Sequence, residues 1–291
     1  STTIGARMDI SSLDYTLTEL ERLTFKEQGY LILEDVLPPD ICDDLEEAAD
    51  KVGEEERSAR DLSPYDRLSV MDFIGRDDRF LELVDWPRVL PKVWGLMGWN
   101  IQIYHSHLVY SPPEEPGNVS PVKRGWHQDS GRPNIEMESS PRPMLSLKVC
   151  YFLSDCSNDG MANFYVVPGS HLKNDLIPRD QRKVDPDEAT PVLVPRGAAV
   201  FFDRRIWHTA SPNSSQVTRK ALFYGYSYRW LRLRDNMTVE HYFDRIDPIR
   251  KQLLGHNVTE KGYSSPMPED VPLKAWIEEH QGAEAIAEWE Y

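Results

Sequence analysis

The spacing of hydrophobic positions changes along the chain. Up to Tyr15 no period is visible. Thr18 then stands where a helix N-cap belongs, with Leu20 and Leu23 carried inward on a helix that Gly29 ends. Tyr30 to Val36 is branched and alternating, which predicts a strand. Pro38 and Pro39 interrupt it. From Asp40 the apolar residues Ile41, Leu45, Ala48, Ala49 and Val52 recur at helical spacing and predict one buried stripe. A third helix is expected over Pro87 to Met97, with proline in its first turn.

From Ile101 the texture becomes that of strands. Ile101 to Tyr110 alternates, and Pro112 to Pro121 is a Pro-, Glu- and Gly-containing loop suited to covering a small pocket. Leu145 to Leu153, Phe164 to Val167, Val192 to Val194, Ala198 to Phe202 and Leu222 to Tyr228 are short apolar runs between turn residues. Many short strands without intervening helices predict a sandwich or jelly roll rather than βαβ units. After Trp230 helical spacing returns, with a last amphipathic stretch from Leu273 to Trp289. The expected organisation is a single domain over the whole chain. It has a helical N-terminal part at about 16–99, a β core at about 100–230 and a C-terminal helical extension at about 231–291.

Composition narrows the functions open to such a fold. With 291 residues, 40% hydrophobic and 28% charged, the chain can bury a core without disulfides or structural zinc. A net charge of −15 disfavours nucleic acid, whose phosphates call for a basic face, and equally disfavours an anionic membrane surface. Three cysteines, Cys42, Cys150 and Cys156, make no disulfide framework and suit a reducing, cytoplasmic setting. No apolar run approaches the roughly 20 residues a bilayer span needs, and Ser1 to Tyr15 lacks the regions of a signal peptide. Nothing demands a partner chain, and oligomeric state stays open.

The candidate chemistry sits in the β-rich middle. In Trp126-His127-Gln128-Asp129, alternate positions of an extended segment point the same way, so His127 and Asp129 can reach one ion. A second histidine, His208, follows the apolar strand Ala198 to Phe202. Two imidazoles and a carboxylate on one octahedral face leave three positions open, as in non-haem Fe(II) oxygenases. Arg219, at the start of the next strand, offers a planar guanidinium that can grip the far end of a dicarboxylate.

These segments resemble the phytanoyl-CoA dioxygenase (PhyH) family of Fe(II)/2-oxoglutarate-dependent oxygenases. The resemblance is carried by Trp126-His127-Gln128-Asp129, the strand from Leu145 to Asp155, the turn Val167-Pro168-Gly169-Ser170-His171, and His208 with Arg219, and it extends from about Thr18 to Trp230. It implies a double-stranded β-helix (a cupin-like jelly roll, mainly β with flanking helices) with iron on His127, Asp129 and His208. It also implies a dioxygenase that uses Fe(II), 2-oxoglutarate and O2 to hydroxylate a small organic substrate, with release of succinate and CO2. Arg219 is then the clamp on the distal carboxylate of the cosubstrate. Further cosubstrate contacts fall at His107, at Lys148 or Cys150, and near Ser69 or Met71. Relatives that halogenate carry a small residue in place of the carboxylate, so Asp129 points to oxygenation.

Several residues have both a functional and a structural reading. His105 and His107 share a strand face and either contact a ligand or pack the barrel wall. Lys148 needs either a wet face or a buried partner. Trp126, Trp207 and Met71 are candidates for the substrate pocket, with core packing as the alternative for the tryptophans. Arg124 and Arg132, flanking the metal motif, are candidates for an anionic substrate group. His171 belongs to a turn and has a structural role. An acyl-CoA is disfavoured because basic residues are not clustered. The alternatives are a non-catalytic β-barrel that binds a small molecule or metal, and a hydroxylase of protein side chains.

Overall fold

The structure is a computed structural model and describes residues 8–118 and 124–290. The last positions of the expected cover loop, 119–121, lie outside the described residues. Its strands are β1 (Tyr30–Leu33), β2 (Leu68–Met71), β3 (Ile101–Ser111), β4 (Ser146–Phe152), β5 (Tyr165–Val166), β6 (Thr190–Pro191), β7 (Ala199–Asp203), β8 (His208–Thr209) and β9 (Arg219–Tyr228). The α-helices are α1 (Glu19–Gln28), α2 (Pro39–Ala59), α3 (Leu90–Met97), α4 (Gly131–Glu136), α5 (Pro248–Leu253), α6 (Pro272–Gln281) and α7 (Glu284–Ala287). Among the described residues no helix is long and apolar enough to cross a membrane.

Two compact units partition the chain. One takes Ser1–Arg22, Met71–Ser106 and Tyr224–Tyr291, the other Leu23–Val70 and His107–Phe223. The boundaries fall inside α1, β2, β3 and β9.

The second unit is built on two antiparallel sheets of a jelly roll, one ordered β1-β7-β4-β9-β3-β2 and the other β6-β5-β8. The register pairs Lys148 with Phe202 and Cys150 with Val200, so these residues share a face of the larger sheet. That face carries Cys150, Phe152, Val200, Phe202 and Ala221 into an apolar core completed by Val166 of the smaller sheet and by Phe164 just before β5. Helix α2 buries Cys42, Leu45, Ala48, Ala49 and Val52, close to the expected stripe, with Ile41 only half-buried. All three cysteines are buried and free.

In the first unit, Asp270 accepts hydrogen bonds from the Val258 and Thr259 amides, the Thr259 hydroxyl and the Met267 amide at 2.6–3.1 Å. This carboxylate ties the loop that precedes α6 to itself.

Local expectations fail where short-range signals compete. Thr18 and Glu21 do cap α1 reciprocally at 3.0 and 3.1 Å. However, Leu20 and Leu23 are 76% and 44% exposed, and Phe25 is the side chain that α1 buries. The third helix starts at Leu90, with Pro91 and not Pro87 in its first turn. Val194 makes only an isolated bridge to Cys156, while the pairing strand is Thr190–Pro191. The stretch expected to continue to Trp289 breaks at Gly282, whose φ of +90° closes α6. A 3-10 helix over Ile10–Tyr15, capped by Asp9, replaces the expected irregular start.

Candidate metal centre

His127 and His208, far apart in sequence, meet through the backbone. Each amide donates to the other's carbonyl at 3.0 Å, which extends β8 by one bridge onto the metal motif. The Asp129 amide donates to Arg204 O at 2.9 Å, and Ser130 turns through left-handed φ (+65°) into α4. Arg204, 1% exposed, holds this turn from below. It donates to Asn134 Oδ1 (2.6 Å), Met144 O (2.7 Å) and Pro143 O (2.7 Å), while Asn134 Nδ2 donates to Asp129 O (2.8 Å). Nothing in the sequence separates this buried arginine from its neighbour Arg205, which pairs with Asp203.

The three side chains converge. Their ligand atoms lie within 4.8 Å of one another, and Asp129 Oδ1 stands 3.7 Å from His127 Nε2 and 3.6 Å from His208 Nε2. Both Nδ1 atoms are engaged by carbonyls, His127 by Gly125 O at 2.6 Å and His208 by Ile206 O at 2.9 Å. Such a bond requires the proton on Nδ1, which leaves both Nε2 lone pairs facing the carboxylate. Burial pushes the His208 imidazole down to about 4, against the pull of Asp129 and helped by His127, so it is neutral at ordinary pH. Burial alone would raise the Asp129 carboxyl. The Lys148 ammonium, followed by His208, instead holds it far below the usual carboxylate range. Two imidazole nitrogens, each turned to the cluster by a carbonyl on its Nδ1, and an ionised carboxylate oxygen fit a divalent first-row metal.

The side chains around this cluster separate by role. Lys148 points inward and places Nζ 2.8 Å from Asp129 Oδ2, with Phe202 beneath it at 5.9 Å. Arg219, 4% exposed, donates to Ala162 O at 2.9 Å and Ser111 Oγ at 3.3 Å, and its Nε has no partner among the described residues. Burial raises the Cys150 thiol, which feels first the Arg219 guanidinium and, more weakly, the Lys148 ammonium, so both cations lie within electrostatic reach of one inward-facing residue. Ser111 and Ala162 also line a cavity of about 440 Å³ together with Arg67, Glu114, Ser211 and Asn213. Ser69 and His107 are hydrogen-bonded to each other through Oγ and Nε2.

The remaining candidates are engaged elsewhere. Trp126 and Trp207, 0% and 2% exposed, pack with Tyr165, Val167 and Ile177, and their indole N–H groups donate to Asp185 and Lys173 O. Arg124 forms a two-point pair with Asp185 and lies over the Tyr165 ring, and Arg132 pairs with Glu136. In the first unit, His105 is buried with Nδ1 3.5 Å from Asp235 Oδ2, and Met71 lines a cleft of about 570 Å³ with Arg76, Arg234, Asp235 and His241. His171 bonds Lys26 O at the end of α1, a structural role.

Comparison with known proteins identifies the family and the fold. The family model described as phytanoyl-CoA dioxygenase (PhyH) matches residues 25–221. HygX from Streptomyces hygroscopicus, solved with nickel and 2-oxoglutarate bound, superposes with a TM-score of 0.59 at 16% identity, over 75% of this chain and 89% of that one. EctD from S. alaskensis, solved with 2-oxoglutarate and 5-hydroxyectoine, gives 0.58 at 19% identity, over 80% and 83%. SnoK, a non-haem α-ketoglutarate-dependent carbocyclase from nogalamycin biosynthesis, gives 0.54 at 20% identity, over 77% and 87%. At these identities the likeness is one of fold.

Proposed function

Because the chain belongs to the phytanoyl-CoA dioxygenase family of 2-oxoglutarate-dependent non-haem iron oxygenases, we propose that it hydroxylates a C–H bond of a small organic molecule, with release of succinate and CO2. The observation that carries this reading is the convergence of His127 Nε2, Asp129 Oδ1 and His208 Nε2, with both imidazoles oriented by carbonyls. These three donors would hold Fe(II). When bound, Fe(II) with 2-oxoglutarate and O2 supplies the oxidising chemistry.

The chain's own residues do the positioning. Arg219 presents a buried guanidinium for the distal carboxylate of the cosubstrate, held in place by Ala162 O and Ser111 Oγ. Ser69 and His107 form one hydrogen-bonded unit, a second polar contact for that cosubstrate. The apolar face of Phe164, Val166 and Phe202 keeps water from the reacting centre. A carboxylate at Asp129, where a halide would need space, supports oxygenation. The small-molecule substrate class is supported by the 5-hydroxyectoine named in the EctD structure and by the nogalamycin biosynthesis named for SnoK. It is also supported by the pairing of Arg124 with Asp185, which leaves that arginine no free charge for a nucleotide-bearing acyl group.

Anaerobic addition of Fe(II) and 2-oxoglutarate is expected to produce a weak visible charge-transfer band, absent in His208→Ala. A succinate-release screen over a metabolite panel, with the same variant as blank, then identifies the substrate. A protein that binds a ligand without catalysis would give neither signal.

A further inference from the structure

Lys148 stands on a face of β4 whose next inward positions, Cys150 and Phe152, belong to the apolar core. Its side chain is 8% exposed and that of Asp129 is 6% exposed. An ammonium there is tolerable only with a partner, and the partner is one particular oxygen. The Asp129 carboxylate is divided: Oδ1 faces the two Nε2 atoms, and Oδ2 lies 2.8 Å from Lys148 Nζ.

We propose that Lys148 is a positioning residue that keeps Asp129 a one-oxygen metal ligand. The proposal rests on the metal-centre reading above and adds a constraint to it. An oxygen already ion-paired with an ammonium at 2.8 Å is a poor second donor to a dication, and the ammonium repels the cation from that side. Two-oxygen ligation by Asp129 would occupy a coordination position. An octahedral ion with three protein donors has only three left, two for a chelating keto acid and one for O2. Lys148 therefore reserves a position for chemistry without touching substrate.

The test uses full-length protein saturated with Mn(II), in which water-proton relaxation counts exchangeable metal-bound waters. Wild type is expected to hold about three, Lys148→Met about two, and Lys148→Arg, which restores a cationic donor to Oδ2, about three again. The same loss should weaken 2-oxoglutarate and pyruvate together, each by about tenfold or more, because both need two metal positions. Lys148→Met with an unchanged water count overturns the proposal. So does a loss confined to 2-oxoglutarate, which would place the ammonium on the distal carboxylate that pyruvate lacks. Should Lys148→Met not fold, the wild-type count decides alone, since two waters there mean a two-oxygen Asp129. Wild type that binds no Mn(II) overturns the metal-centre reading itself, whereas normal Mn(II) binding with an unchanged count removes only the role of Lys148.

Discussion

His127 and His208 exchange both of their main-chain hydrogen bonds, each amide donating to the other's carbonyl at 3.0 Å. The pairing of these two segments therefore does not depend on the imidazoles or on an ion. His208→Ala is expected to lower divalent-metal affinity by about a hundredfold or more, since even indirect supporting partners contribute tenfold to a hundredfold. Secondary structure by circular dichroism should be unchanged. Metal titration by calorimetry checks the first expectation, and near-wild-type affinity would remove His208 from the site.

Arg219 separates cosubstrate binding from metal binding. Arg219→Leu is expected to weaken 2-oxoglutarate by at least about thirtyfold, as for other buried charge pairs truncated on one side, while Mn(II) affinity stays within about twofold. Equal loss of both would mean that the arginine is structural, through Ala162 O and Ser111 Oγ.

Gly29 tests the Pro-Gly-Ser-His turn. It ends α1 at φ +81°, and a methyl group there would lie 2.6 Å from His171 Nδ1. Gly29→Ala combines left-handed strain with a clash against a buried ring. It is expected to destabilise the fold by about 2–4 kcal/mol in urea unfolding, without changing metal stoichiometry.

Asp270 gives a dependence on pH. Burial would raise its carboxyl, but the Thr259 hydroxyl and the Thr259, Met267 and Val258 amides bring it down to about 2. A carboxyl lowered on folding stabilises above its unfolded value and loses that contribution as pH falls through the folded one. The stability gap between wild type and Asp270→Asn should accordingly be full above about pH 4 and close toward pH 2, with a melting temperature about 5 °C lower for the variant at neutral pH. A gap that persists unchanged at pH 2 would show that shape, not charge, sets the role of Asp270.

The convergence of His127, Asp129 and His208 was legible because its signal is local and chemical. His127 and Asp129 share a face at a spacing of two, and His208 follows an apolar strand. The direction of Lys148 stayed open between a wet face and a buried partner, and that partner carried no signal, because Asp129 approaches from a separate segment. Arg204 carried no signal, since an arginine beside an arginine after a strand has the same pattern as a solvated charge. Trp126 and Trp207 misled for the opposite reason. Aromatics beside ligands suit a pocket and a core equally, and only the packing against Tyr165, Val167 and Ile177 distinguishes the two. Leu20 and Leu23 showed that helical spacing marks a face without saying which face is covered. Strand β2 was too short, and too polar in its flanks, to stand out from loop.

The first unit is assembled from three stretches, the last beginning at Tyr224, whereas every member of the second lies between Leu23 and Phe223. On a ribosome the segments that carry His127, Asp129, His208 and Arg219 are thus translated while the first unit still lacks the last of its three stretches. The same interleaving means that neither unit can be produced alone by trimming an end, and the non-local pairing it requires favours slow folding.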